Sequence, residues 1–131
     1  MITGIGIDAV EIERFAAWHT YPEKQLLKIL SAEEIAYCKE NPRLSAQRFA
    51  VRFATREAFF KAWNSAAPEQ YIPFLTCCRS LTLRHNSNGA PLLHINWHIL
   101  GFNSPLFFPL ITLTHTNTTA IASVVLQGPM P

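Results

Sequence analysis

Charge is what this chain has least of. Only 15% of its 131 residues are Asp, Glu, Lys or Arg, against about 25% in an average soluble domain, while 49% are hydrophobic. A disordered chain is excluded, because disorder needs abundant charge and few aromatics, and 11% of the residues here are aromatic. Long apolar runs are missing as well. The most apolar stretch, Ile99–Leu113, is broken by Asn103, Ser104, Pro105 and Pro109. It falls short of the roughly 20 apolar residues a spanning helix requires, so no membrane span is expected. Eleven basic and nine acidic residues leave a net charge of +2 with no contiguous basic cluster, so nothing points to nucleic acid. The three cysteines, Cys38, Cys77 and Cys78, are an odd number without a CxxC or metal-ligand spacing, which suits a reducing, cytoplasmic setting. Met1–Gly4 opens in a strand-like pattern rather than a basic then apolar one, so no secretion signal is expected. A glycine-rich phosphate loop, a Ser/His/Asp order and a zinc spacing are all lacking.

What remains is one α+β domain over residues 1–131, a length typical of a single core. Ile2–Ile7 alternates apolar and small residues and predicts a strand ending at Asp8. Val10–Trp18 predicts a turn or short helix that buries Phe15 and Trp18. Ser31-Ala32-Glu33-Glu34 is a capping box opening a helix that stops at Asn41-Pro42. From Leu44 to Ser65, Phe49, Phe53 and Phe60 recur with Ala50, Ala54 and Ala58 at helical spacing, the longest regular element of the chain. Leu81 and Leu83, the Asn86–Gly89 turn, and Leu93, Ile95 and Trp97 predict a hairpin. Ile111–Thr114 and Ala120–Leu126 predict another. An antiparallel sheet packed on one long helix follows.

Two carboxylates stand where carboxylates are costly. Asp8 closes an apolar strand, and Glu57 shares the apolar face of the long helix with Phe53 and Phe60. A buried carboxylate needs a hydrogen bond, a partner or a cation. Lys61, four residues on, is placed for a helical ion pair with Glu57, which is one explanation. The other makes Asp8 and Glu57 hard-oxygen ligands for Mg²⁺, which is typically held by one or two carboxylates plus waters and substrate phosphates. Lys61 would then face the same phosphates. His115, between a strand and a turn, is either a structural hydrogen-bonding group or part of the site; His94 and His98 lie on an exposed strand face. Arg43, Arg48, Arg52 and Arg56 are spaced so that some share one helical flank, as a solvated face or toward an acidic partner or phosphate.

Three segments in order resemble one family. Gly4-Ile5-Gly6-Ile7-Asp8-Ala9-Val10-Glu11-Ile12-Glu13-Arg14-Phe15 resembles the opening motif of the bacterial holo-acyl-carrier-protein synthases, the short 4′-phosphopantetheinyl transferases. Arg48 through Ala62 resembles their helix motif. Ile111–His115 with Ala120–Leu126 is similar to their C-terminal hairpin, and Asn88-Gly89-Ala90-Pro91 to a weaker loop feature. The resemblance implies transfer of the 4′-phosphopantetheine arm of coenzyme A to a serine of apo-acyl carrier protein. It implies Asp8 and Glu57 as Mg²⁺ ligands, with Glu57, Lys61 and His115 as the catalytic group. It places Lys61, Arg52, Arg56, Asn88, Gly89, Pro91 and His115 at coenzyme A, and Arg14 at the carrier protein.

The chain departs from the family pattern at Arg56 and Ala90, where lysine is usual, and at Thr116, where aspartate is usual. These departures keep open a second possibility, a coenzyme A- or carrier-binding module with weakened catalysis. The resemblance further implies a homotrimer with active sites between subunits. The low charge would then reflect buried subunit surface, with the C-terminal strands and Ile99–Leu113 as candidates.

Overall fold

Period-2 alternation along the first strand decides the architecture, since it puts Gly4, Gly6, Asp8 and Val10 on one face and Ile5, Ile7 and Ala9 on the other. A computed structural model describes residues 1–129. The first strand, β1 (Ile2–Glu11), is longer than the alternation predicts, and Asp8 lies within it rather than at its end. Two short 3₁₀ turns, Ile12–Phe15 and Trp18–Thr20, bury Phe15 but leave Trp18 only half-buried, contrary to expectation. Helix α1 (Glu23–Leu26), unforeseen, is a single turn. Helix α2 (Ala32–Glu40) starts on the expected capping box, with Ser31 Oγ accepting from Glu34 N and the Glu34 carboxylate accepting from Ser31 N. Helix α3 (Ser45–Ala66) matches the long predicted helix, and α4 (Phe74–Ser80) follows it unforeseen.

Strands β2 (Leu81–His85) and β3 (Pro91–Ile95) form the first hairpin, which ends before Trp97. Gly89 turns it at φ +82°, a left-handed conformation that suits glycine. Strands β4 (Phe108–His115) and β5 (Thr119–Gln127) form the second. The main sheet runs β1-β5-β4, all antiparallel, and β2-β3 stands as a separate sheet.

The core lies between α3 and the inner face of the main sheet. Phe49, Ala50, Ala54, Ala58, Phe59, Ala62 and Trp63 of α3 are buried against Val10 of β1 and Ala120, Ala122, Val124 and Leu126 of β5. Small residues set the distance. A methyl group added at Gly4 would lie 2.8 Å from Ala66 Cβ, and one at Gly6 would lie 2.7 Å from Ala62 N and closer to Ala58 O. Strand and helix backbones are therefore in direct contact. Two strand residues advance about 6.6 Å, and one helical turn about 5.4 Å. Gly4 and Gly6 thus step down α3 from Ala62 to Ala58, and the next inward residue, Asp8, arrives near the turn that bears Glu57.

The outer sheet face is not covered. Ile5 (63% exposed), Ile7 (61%) and Leu110 (46%) lie on it, and Val125 sits between Ile5 and Leu110 in register. Of the segments expected at a subunit interface, β4 and β5 form part of this uncovered face, and β1 forms the rest. None of the described helices is long and apolar enough to cross a membrane.

Candidate active site

Two clusters occupy opposite edges of the main sheet. The first is built by the contact of β1 with α3. Lys61 Nζ donates to Asp8 Oδ1 at 3.1 Å and to the Ile7 carbonyl at 2.9 Å, so its ion pair is made across to the strand and not with Glu57, one of the two explanations the helical spacing allowed. Asp8 Oδ2 is buried without a hydrogen-bond partner. Burial pushes the Glu57 carboxyl above its usual range, and the nearby Asp8 charge adds to this; Lys61 and Arg14 offset it only in part. Arg14 packs its guanidinium over Phe15 and Phe53, at 5.5 and 5.7 Å from the ring centroids. Asp8, Glu57, Lys61 and Arg14 are therefore brought together.

This donor set fits a hard divalent cation. Two mutually repelling carboxylates, one with a buried bare oxygen, lose an electrostatic penalty when such an ion arrives. Among the described residues no group of three or more His, Cys, Asp or Glu is gathered as a metal cage. A two-carboxylate site that leaves room for water and phosphate matches the habit of Mg²⁺.

The second cluster lies at the other edge, where β4 ends. His115 lines a cavity of about 270 Å³ with Tyr37, Gln47, Arg48, Arg52 and His85. His115 Nε2 is 3.0 Å from Gln47 Nε2 and His115 Nδ1 is 3.2 Å from the Thr116 carbonyl. Both contacts are satisfied by the tautomer with the proton on Nδ1, which donates to Thr116 while Nε2 accepts from the Gln47 amide. Arg48 lies 3.9 Å and Arg52 4.7 Å from the Tyr37 ring centroid. Burial, and then the Arg52 charge, hold the His85 imidazole below its usual pKa. Gln47, Tyr37 and His85 were not foreseen; Gln47 sits one position before Arg48 on the helical motif, the one signal that could have flagged it.

Other expected residues are placed differently. Arg56 is not at a ligand site. It is fully buried, and its donors go to both Glu34 carboxylate oxygens at 2.6 Å, the Ile29 and Leu81 carbonyls, and the Arg52 carbonyl. The physical reason is Glu34, whose buried carboxylate demands a bidentate partner. The departure from lysine at this position therefore acts in the core. Asn88, Gly89 and Pro91 sit on the β2–β3 hairpin and do not line the cavity; only His85, the last residue of β2 before the turn, does. Thr116 Oγ1 accepts from Thr118 N and Thr119 N, so it serves the β4–β5 turn.

Residues 4–122 match the model of the 4′-phosphopantetheinyl transferase superfamily. The chain is 33% identical over 131 residues to a holo-(acyl-carrier-protein) synthase of Treponema pallidum, covering 98% of each protein. It is 33% identical over 132 residues to one of Enterococcus faecalis, covering 98% of this chain and 99% of that one. Among solved structures, it resembles a holo-(acyl-carrier-protein) synthase from Bacillus anthracis in complex with CoA (3′,5′-ADP), with a TM-score of 0.69 and 27% identity over 96% of both chains. The acyl carrier protein synthase of Mycobacterium tuberculosis gives a TM-score of 0.72 at 26% identity, covering 98% of this chain and all of that one.

Proposed function

The chain belongs to the 4′-phosphopantetheinyl transferase superfamily, and from that premise we propose that it transfers the 4′-phosphopantetheine arm of coenzyme A to a serine of apo-acyl carrier protein. The serine hydroxyl gives its proton to water or to the Glu57 carboxylate as its oxygen attacks the phosphorus bonded to pantetheine, the bond from that phosphorus to the bridging oxygen breaks, and adenosine 3′,5′-bisphosphate leaves. The carrying observation is the bare, buried Asp8 Oδ2 beside a Glu57 whose carboxyl is raised by burial and by the Asp8 charge. Asp8 and Glu57 would hold Mg²⁺, which when bound supplies neutralisation of the pyrophosphate charge. Lys61, anchored on Asp8 and the Ile7 carbonyl, presents its cation to the departing phosphate. Arg14, exposed beside this cluster, meets the acidic carrier. The cavity of His115, Arg48 and Arg52 takes the anionic nucleotide end of coenzyme A.

The two clusters lie on β1 and β4, the opposite edges of one sheet. A head-to-tail ring brings the opposite edges of neighbouring copies together. The uncovered apolar face around Ile5, Val125 and Leu110 favours such a homotrimer, with each active site completed between subunits. A single domain over 1–131 and a cytoplasmic location complete the proposal.

Glu57→Gln tests it. Incubated with Mg²⁺, coenzyme A and apo-carrier protein, the variant should give no mass shift of the carrier, and full transfer would remove Glu57 from the site. A module that binds without transferring is distinguished by the wild-type protein failing to shift the carrier while still binding coenzyme A.

A further inference from the structure

We propose that Glu34 is a positioning residue for coenzyme A: its buried carboxylate holds Arg52 in the wall of the His115 cavity, ready for an anionic group of the ligand. The proposal rests on the assignment of that cavity to the nucleotide end. In a capping box the glutamate needs only to reach back to the N-cap, yet this one is 1% exposed and does much more. Its Oε1 accepts from Ser31 N, Ser31 Oγ and Arg56 Nη2, and its Oε2 accepts from Arg56 Nη1. Burial opposes its ionisation, but Arg56 and the hydrogen bonds from Ser31 together hold the carboxyl below its usual range.

Arg56 alone already neutralises Glu34. Arg52, one helical turn earlier and 3% exposed at the cavity wall, is a surplus charge. Its Nη1 donates to the Arg48 carbonyl at 3.3 Å, while its Nε lies 3.7 Å from Glu34 Oε2 and has no hydrogen-bond partner. The neighbouring Cys38 thiol, pushed up to about 12 by burial, stays neutral and supplies no counter-charge. Two guanidiniums thus share one carboxylate, leaving a net positive charge in the core. Folding does not require it, because an uncompensated buried charge is costly. An anion entering the cavity that Arg52 lines would compensate it. Glu34 makes the arrangement tenable, because without it Arg52 and Arg56 repel across one turn of α3 and Arg52 is driven away from its place.

The test measures coenzyme A binding by calorimetry in Mg²⁺ buffer, together with kcat and KM, for Glu34→Gln, Arg52→Met and the double variant. Each single variant should weaken coenzyme A about tenfold in Kd and KM, the scale of one lost charge-assisted bond. For Glu34→Gln, kcat should fall much less than KM rises. The double variant should bind no worse than Arg52→Met. Wild-type affinity in a folded Glu34→Gln, with Arg52→Met weakened, overturns the positioning role and leaves the cavity assignment standing. Wild-type affinity in Arg52→Met overturns the cavity assignment itself. Additive losses show that Glu34 acts through the fold alone and also overturn the proposal. If Glu34→Gln does not fold, Glu34→Asp keeps the charge and withdraws it by one methylene. It should show the same coupling to Arg52→Met, and independence from that variant refutes the idea.

Discussion

Adding one methyl group at Gly6 should damage the active site without touching a site residue. The new carbon would lie 2.7 Å from Ala62 N and nearer still to Ala58 O, both backbone atoms of α3 with no rotamer in which to escape. Relaxed non-bonded separations are about 3.5 Å, so α3 must retreat from β1 by roughly 1 Å. Overpacking of this kind costs about 1–3 kcal/mol, and the rigid neighbours here place Gly6→Ala at the upper end. For a chain of this size a loss of about 3 kcal/mol lowers Tm on the order of 10 °C. The functional effect should be larger. Retreat of α3 draws Lys61 Nζ away from Asp8 Oδ1, now 3.1 Å apart, and separates Glu57 from Asp8. Misplacement by about 1 Å commonly costs about a hundredfold in rate. Calorimetry or circular dichroism gives the melting temperature, and carrier-protein mass shift gives transfer at a temperature where the variant is folded. A Gly6→Ala protein that melts near the wild type, or one that is destabilised yet transfers at the wild-type rate, would refute the claim that this strand–helix contact positions the site.

Val125→Asp puts a charge at the centre of the uncovered sheet face, between Ile5 and Leu110. If that face closes a trimer, light scattering should find single chains and transfer should be lost; an active trimer would contradict it. The Glu34 carboxyl is held below its ordinary value of 4.5, so its stabilisation is complete above that pH and is lost as pH falls through the folded value. Wild-type protein should therefore lose stability below about pH 4.5 more steeply than Glu34→Gln in denaturant titrations. Parallel pH profiles would mean that the Glu34–Arg56 pair titrates alike in the folded and unfolded chain.

The parts of the fold that were legible are those in which local chemistry and tertiary packing agree. The Ser31–Glu34 box, the glycine-free run of α3 and the two hairpins are each specified within a few residues, and each forms where expected, save that the first hairpin stops short of Trp97. Asp8, Glu57 and Lys61 were legible because two short-range patterns, strand alternation and helical spacing, converge on them. What stayed hidden depends on partners distant in sequence. Arg56 sits in a row of arginines that reads as one helical flank, and only its contact with Glu34, 22 residues away, turns it into core. Glu34 itself reads fully as a helix cap, a role it performs, which conceals the second. Tyr37 and His85 carry no local signal, and Gln47 only its place beside Arg48, since a cavity between α2, α3 and the ends of β2 and β4 exists only once those elements are packed.

The scarcity of charge has a local counterpart at the start of β1, where Ile2–Ile7 carries no charged residue. One strand does two jobs: β1 turns Gly4, Gly6 and Asp8 inward and Ile5 and Ile7 outward. The inward set must be small until the helix has been brought into contact, and then acidic. The outward set is apolar with no cover in a single chain. Neither set has room for the lysines and glutamates that usually blunt an edge strand. If the proposed trimer forms, this edge strand presses against a helix on one face and meets a neighbouring copy on the other, and its first six residues, Ile2–Ile7, carry no charge. The same alternation that builds the Asp8–Lys61 contact therefore leaves Ile5 and Ile7 exposed. If the outer face closes the proposed trimer, a substitution that solubilises it would leave the inner geometry of one chain intact while removing the second half of its active site.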